Sequence, residues 1–261
     1  MIIGNGSSFF LKQFKNWILI YGLIITSWVV IFLGSDKSAL ISSSNPFYLL
    51  EIDLCRNASD SSIFALIGMW FLMSLAMMLP TFVPAVKTFI DLSAITGNTH
   101  RDLQILILGY LIIWFFASIL GAILQFSLAS TGLLNDGNQS SSSLLNAILL
   151  LSAGIYQFSS LKKACLSKCR MPLTFFMERW KTSSDNILNL GFELGLICLG
   201  CCWAIMLLGF IGGTMNILWM GLATLLMLFE KIPAIGNLIS SPLGYSFIVI
   251  GIIYLLNGIL F

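Results

Sequence analysis

Apolar residues run in long stretches along this chain, near 16–34, 62–85, 103–130, 144–160, 187–210, 214–230 and 242–260. They do not alternate with polar residues, so the pattern predicts helices rather than barrel strands. About 20 such residues cross the hydrocarbon core of a bilayer, and there each helix must satisfy its own backbone. The expectation is one all-α domain over residues 1–261, a polytopic transmembrane helix bundle of about seven spans. The fourth and sixth stretches are the shortest. No small-residue cleavage site follows the first, which therefore reads as a span rather than a removable leader.

Composition agrees. Hydrophobic residues make up 58% of the chain and charged residues 9%, where a soluble domain carries about 25% charged. A net charge of +2 gives no reason to expect nucleic acid. The placement of the basic residues says more than their sum. With the N-terminus in the cytoplasm, the inside segments hold Lys12, Lys15, Lys87, Arg101, Lys162, Lys163, Lys168, Arg170, Arg179, Lys181 and Lys231. The outside segments hold Lys37 and Arg56. Eleven against two obeys the positive-inside rule, and it predicts a C-terminus outside. The segment 131–143, rich in Ser, Asn and Gly, reads as a flexible outer loop. Gly212–Gly213 reads as a tight turn between the fifth and sixth stretches, and Pro80 and Pro84 predict a kink or an end to the second.

Between the fourth and fifth stretches lies M-P-L-T-F-F-M-E-R-W-K, residues 171–181. Leu173, Phe176, Met177 and Trp180 share one helical face, opposite Thr174, Glu178 and Lys181. That pattern fits a short amphipathic helix in the cytoplasmic interface. A loop helix packed on the bundle fits equally well.

Chemistry is concentrated in sulfur. The fifth stretch contains L-G-L-I-C-L-G-C-C-W-A-I-M, with Cys198, Cys201 and Cys202 at i, i+3 and i+4 and Met206 one turn later. Those positions lie on one side of a helix, and soft sulfur donors favour Cu(I). Gly195 and Gly200 would let another helix come close. Buried cysteines also serve as small hydrophobes. A second cluster, Y-Q-F-S-S-L-K-K-A-C-L-S-K-C-R-M-P at 156–172, sets Cys165 and Cys169 one turn apart among Lys162, Lys163, Lys168 and Arg170. Positive charge favours the thiolate, the metal-binding form. The same stretch also reads as a basic membrane anchor. Met73, Met77 and Met78 in the second stretch and Met215 in the sixth offer thioethers, or simply fill the core. Glu193 and the Glu230–Lys231 pair stand near span ends, where interfacial or paired roles are expected. His100, the single histidine, reads as a solvated residue. No Walker A loop, dinucleotide fingerprint or H-E-x-x-H is present, so the chain is not by itself an ATP-driven pump.

Four blocks carry a family resemblance: M-S-L-A-M-M-L-P at 73–80, the cysteine block at 156–172, G-L-I-C-L-G-C-C-W-A-I-M at 195–206, and G-G-T-M-N-I-L-W-M at 212–220 followed by Glu230–Lys231. In these the chain resembles a prokaryotic family of predicted metal-binding integral membrane proteins that includes a tyrosinase-associated membrane copper chaperone. Leu194 stands where that family often has a histidine, so any site here leans on sulfur. The resemblance implies copper handling for a membrane or exported copper enzyme, in a prokaryotic cytoplasmic membrane, with no reaction of its own. Cu(I) is expected on Cys198, Cys201 and Cys202, with Met206, Met73, Met77, Met78 and Met215 as secondary donors. Cys165 and Cys169 are expected to form a separate cytoplasmic site. The alternative is a structural subunit of a membrane enzyme complex, without its own metal.

Overall fold

The computed structural model describes residues 5–35, 62–96, 100–135, 138–179, 184–214 and 216–260. Ten helices follow one another among them. They are α1 (Asn5–Ser35), α2 (Ile63–Thr96), α3 (His100–Ser130), α4 (Ser143–Gln157) and α5 (Ser160–Arg170), then α6 (Pro172–Arg179), α7 (Ser184–Leu207), α8 (Gly209–Gly212), α9 (Ile217–Lys231) and α10 (Gly236–Leu260). Five stretches are long and apolar enough to cross a membrane: Asn16–Leu33, Ile63–Ser93, Arg101–Ser130, Asn186–Gly212 and Gly236–Gly258. A sixth arises if α4 and α5, bent by 64° at their junction, form one broken crossing. The sixth apolar stretch folds as α9, whose 15 residues reach only about 22 Å at 1.5 Å per residue, short of the ~30 Å hydrocarbon core.

Close backbone approach builds the central layer. α3 and α7 lie against each other, and a Cβ on Gly109 would come within 2.6 Å of the Leu188 carbonyl oxygen. Gly191 faces Gly109 across the same seam. Small residues let transmembrane helices touch along their backbones and gain dispersion contacts that lipid cannot better. The α4–α10 pair uses the same device, with a Cβ on Gly154 reaching 2.6 Å from Ile248. Lipid accepts what is left outward: Phe64, Leu120, Ile155, Leu218 and Leu238 are all more than 60% exposed.

α2 neither breaks nor ends at Pro80 and Pro84; it runs on to Thr96. A proline removes the donor to the carbonyl four residues earlier, which for Pro80 is Ala76. The Trp28 indole N–H of α1 fills that gap, 3.0 Å from the Ala76 oxygen. The predicted outer loop is held to the bundle at residues 139 and 140. Gln139 Nε2 donates to the Ile211 carbonyl at 2.8 Å, and Ser140 N–H to that of Phe210 at 2.7 Å. Carbonyls at a helix end need donors, and this polar segment docks to supply them. Gly213, with φ +91°, then makes the turn before α9 in the left-handed region.

In α6 the buried side chains are Phe175 and Phe176, while Leu173 and Met177 are exposed. The predicted face is therefore divided, and Trp180 and Lys181 lie outside the described residues. Phe176 packs against Phe89 of α2, ring centres 5.7 Å apart, so one edge of α6 sits on the bundle.

Candidate metal centre

α7 presents its cysteines inward. Cys198, Cys201 and Cys202 are each at most 3% exposed, whereas Leu196 and Trp203, on other faces of the same helix, are exposed. The three sulfurs lie within 4.8 Å of one another, and those of Cys201 and Cys202 are 3.2 Å apart. A metal–thiolate bond of about 2.3 Å allows two sulfurs on one ion to stand up to about 4.6 Å apart, so this trio has the right scale to share an ion.

A fourth sulfur joins them. α5 packs on α7, and Cys169 Sγ lies 3.8 Å from Cys201 Sγ. Gly200 permits the approach, since a Cβ there would come 2.8 Å from Cys165 Sγ. The two cysteine blocks thus face each other in space, rather than forming an intramembrane site and a separate cytoplasmic one. Nothing in their spacing along the chain reveals this, because the meeting depends on the bend at Phe158–Ser159 that turns α5 back. There Ser159 caps α5, its hydroxyl accepting the Lys162 N–H at 3.1 Å.

Cys198 has its own polar shell. Tyr110 Oη of α3 is 3.2 Å from its sulfur, Lys231 Nζ of α9 is 3.1 Å away and Thr81 Oγ1 of α2 is 3.9 Å away. Lys231 also donates to Thr81 Oγ1 at 2.8 Å. A crevice of about 20 Å³, lined among others by Cys169, Cys198, Lys231 and the exposed Lys168, reaches this point. Four helices besides α7 therefore converge on its cysteine face. A lone tyrosine or threonine in an apolar helix carries no sign of such a role. The Glu230–Lys231 pair was visible in the sequence, but each partner turns elsewhere.

Glu230 is 2% exposed and pairs with Lys162, itself 1% exposed, at 2.9 Å. Gln157 bridges them, donating to Glu230 Oε1 and accepting from Lys162 Nζ. Lys162 is thus a buried pairing residue rather than part of a membrane anchor. Glu193 pairs with Arg179 at the surface, 2.5 Å apart, a contact of little energetic weight.

Met73, Met77 and Met78 are buried in the same apolar core as the cysteines, and Met206 is buried on α7. Met215 lies outside the described residues. His100 opens α3.

A family model described as PpoB2, copper chaperone, matches residues 67–254. That range takes in most of α2, all of α3 to α9 and most of α10, and with them every residue of the thiol cluster. The chain belongs to this family. No curated protein and no solved structure matches it. For a copper chaperone, a buried group of soft thiols and a set of apolar, membrane-length helices fit a copper-binding accessory role in a membrane.

Proposed function

We propose that this protein carries Cu(I) for a membrane or exported copper enzyme and catalyses no reaction itself. The ion sits on Cys198, Cys201 and Cys202, and Cys169 is the donor that α5 adds. The observation that carries this reading is the meeting of Cys169 with the α7 trio, 3.8 Å from Cys201. A lone buried thiol is ordinary packing, but four from two helices at one point form a donor set. Cys165, against Gly200, stands behind them. Met73, Met77, Met78, Met206 and Met215 are secondary thioethers.

The crevice beside Cys169 is the route by which the ion reaches or leaves the trio. Lys231 offsets the negative charge that several thiolates around one Cu(I) would carry. In the membrane, counting α4–α5 as one broken crossing and α9 as a short one restores seven crossings. The N-terminus then lies in the cytoplasm and the C-terminus outside, in a prokaryotic inner membrane, with α6 at the cytoplasmic interface.

Elemental analysis of anaerobically purified protein tests the copper site. The parent protein is expected to retain copper, and a variant with Cys198, Cys201 and Cys202 changed to Ser is expected to lose it. Equal copper in both would remove the assignment.

A further inference from the structure

The four sulfurs are not arranged evenly. Cys201 Sγ stands at their centre, 3.2 Å from Cys202 Sγ and 3.8 Å from Cys169 Sγ. It belongs to the α7 trio, whose sulfurs all lie within 4.8 Å of one another, and it is also the sulfur that meets α5. Its separation from Cys169 falls inside the reach of about 4.6 Å that two metal–thiolate bonds of ~2.3 Å allow. Two donor groups therefore share one sulfur. Cys198, Cys201 and Cys202 form one group, and Cys169 with Cys201 forms the other. A thiolate keeps lone pairs after it binds one soft ion, so it can bridge to a second.

The two groups differ in access. The trio is at most 3% exposed, whereas Cys169 is half-buried in the last turn of α5. The crevice of about 20 Å³ is bordered by Cys169 and Cys198, together with Thr81, Pro172 and Lys231. A single water needs about 10–15 Å³ of such space, so there is room for one bare ion beside Cys169.

Charge balance favours a second ion over a fourth ligand on the first. Each coordinating thiol gives up its proton, and buried charge is costly unless it is offset. Three thiolates around one Cu(I) leave an excess of negative charge, which Lys231 Nζ, 3.1 Å from Cys198 Sγ, partly offsets. A second Cu(I) that enters with the Cys169 thiolate brings a positive and a negative charge together and adds no net charge. The Cys169 thiolate on the first ion would add a negative charge with nothing to balance it.

We propose that the thiol cluster takes two Cu(I) ions bridged by Cys201. The inner ion sits on Cys198, Cys201 and Cys202, and the outer ion sits between Cys201 and Cys169. The outer ion has fewer sulfurs and a crevice beside it, so it is the one handed on, while the inner ion stays. This rests on the copper-carrying role proposed above.

Anaerobic titration of the metal-free full chain in detergent with Cu(I), followed by a chromogenic Cu(I) chelator, tests the cluster. The parent is expected to bind two ions per chain. The chelator is expected to withdraw one at a concentration at least tenfold below that needed for the other. Cys169→Ser is expected to bind one ion, as tightly as the parent holds its inner ion. X-ray absorption of the fully loaded parent is expected to show copper–copper scattering, and that measurement stands even if Cys169→Ser fails to fold. One ion per chain in the parent would overturn the two-ion cluster and leave the copper role standing. Two ions without copper–copper scattering, or two ions still bound in Cys169→Ser, would overturn it as well. A parent that binds no copper would remove the copper role itself.

Discussion

Changing Lys162 to Met should destabilise the protein more than changing Lys162 and Glu230 together. Both side chains are essentially sealed from outside, 2.9 Å apart. Removing the ammonium leaves a buried carboxylate whose remaining side-chain partner is the Gln157 amide. Breaking one side of a buried ion pair costs about 3–5 kcal/mol, because the stranded charge loses its compensation. The double variant Lys162→Met/Glu230→Met strands no charge. It leaves the Gln157 amide without its two side-chain partners, at a cost of about 1–3 kcal/mol. At roughly 2–4 °C per kcal/mol for a chain of this size, the single variant should melt about 6–20 °C below the parent and the double variant only about 2–12 °C below. Intrinsic tryptophan fluorescence during thermal unfolding in detergent would follow this, completed as a double-mutant cycle. If the double variant were at least as destabilised as the two single losses added together, the buried pair could not be the coupled unit described here.

Three other outcomes follow from the geometry around the cysteines. Gly200→Ala would drive a methyl into Cys165 Sγ, and overpacking of this kind costs about 1–3 kcal/mol; it should also push α5 off α7 and lower copper retention. Lys231→Gln keeps a donor near Cys198 but removes the charge, so Cu(I) affinity, measured by competition with a chromogenic chelator, should fall about tenfold; unchanged affinity would deny Lys231 an electrostatic part. Mild thiol oxidation of the metal-free protein should link Cys169 to Cys201, whose sulfurs are 3.8 Å apart. Peptide mapping would detect the bond, and prior Cu(I) loading should suppress it.

The sequence makes the helical membrane class plain because hydropathy is a sum over many residues, and single exceptions cannot overturn it. The α7 stripe was equally legible, since 3.6 residues per turn fixes where Cys198, Cys201 and Cys202 point relative to one another. The number of membrane-length helices was less so. An apolar run does not reveal a bend, and the fourth stretch turns by 64° into α5. The inward turn of Lys162 and Lys231 was hidden for the same reason. A charge near a span end looks interfacial until its partner is known, and Glu230 is 68 residues from Lys162 along the chain. Long-range approach also decides that Cys169 meets Cys201, 32 residues away. Tyr110 and Thr81 gave no signal at all, because each is a lone polar group whose meaning comes only from the helix facing it. That the helix does not end at Pro80 was likewise hidden, because the carbonyl the proline leaves without a donor is met by Trp28 from a different helix.

X-ray absorption at the copper edge, on anaerobically loaded protein, most directly tests whether the α7 thiols hold the ion. A first shell of sulfur alone is expected, with copper lost from the variant in which Cys198, Cys201 and Cys202 are Ser. A nitrogen or oxygen shell, or an identical spectrum from that variant, would contradict the account.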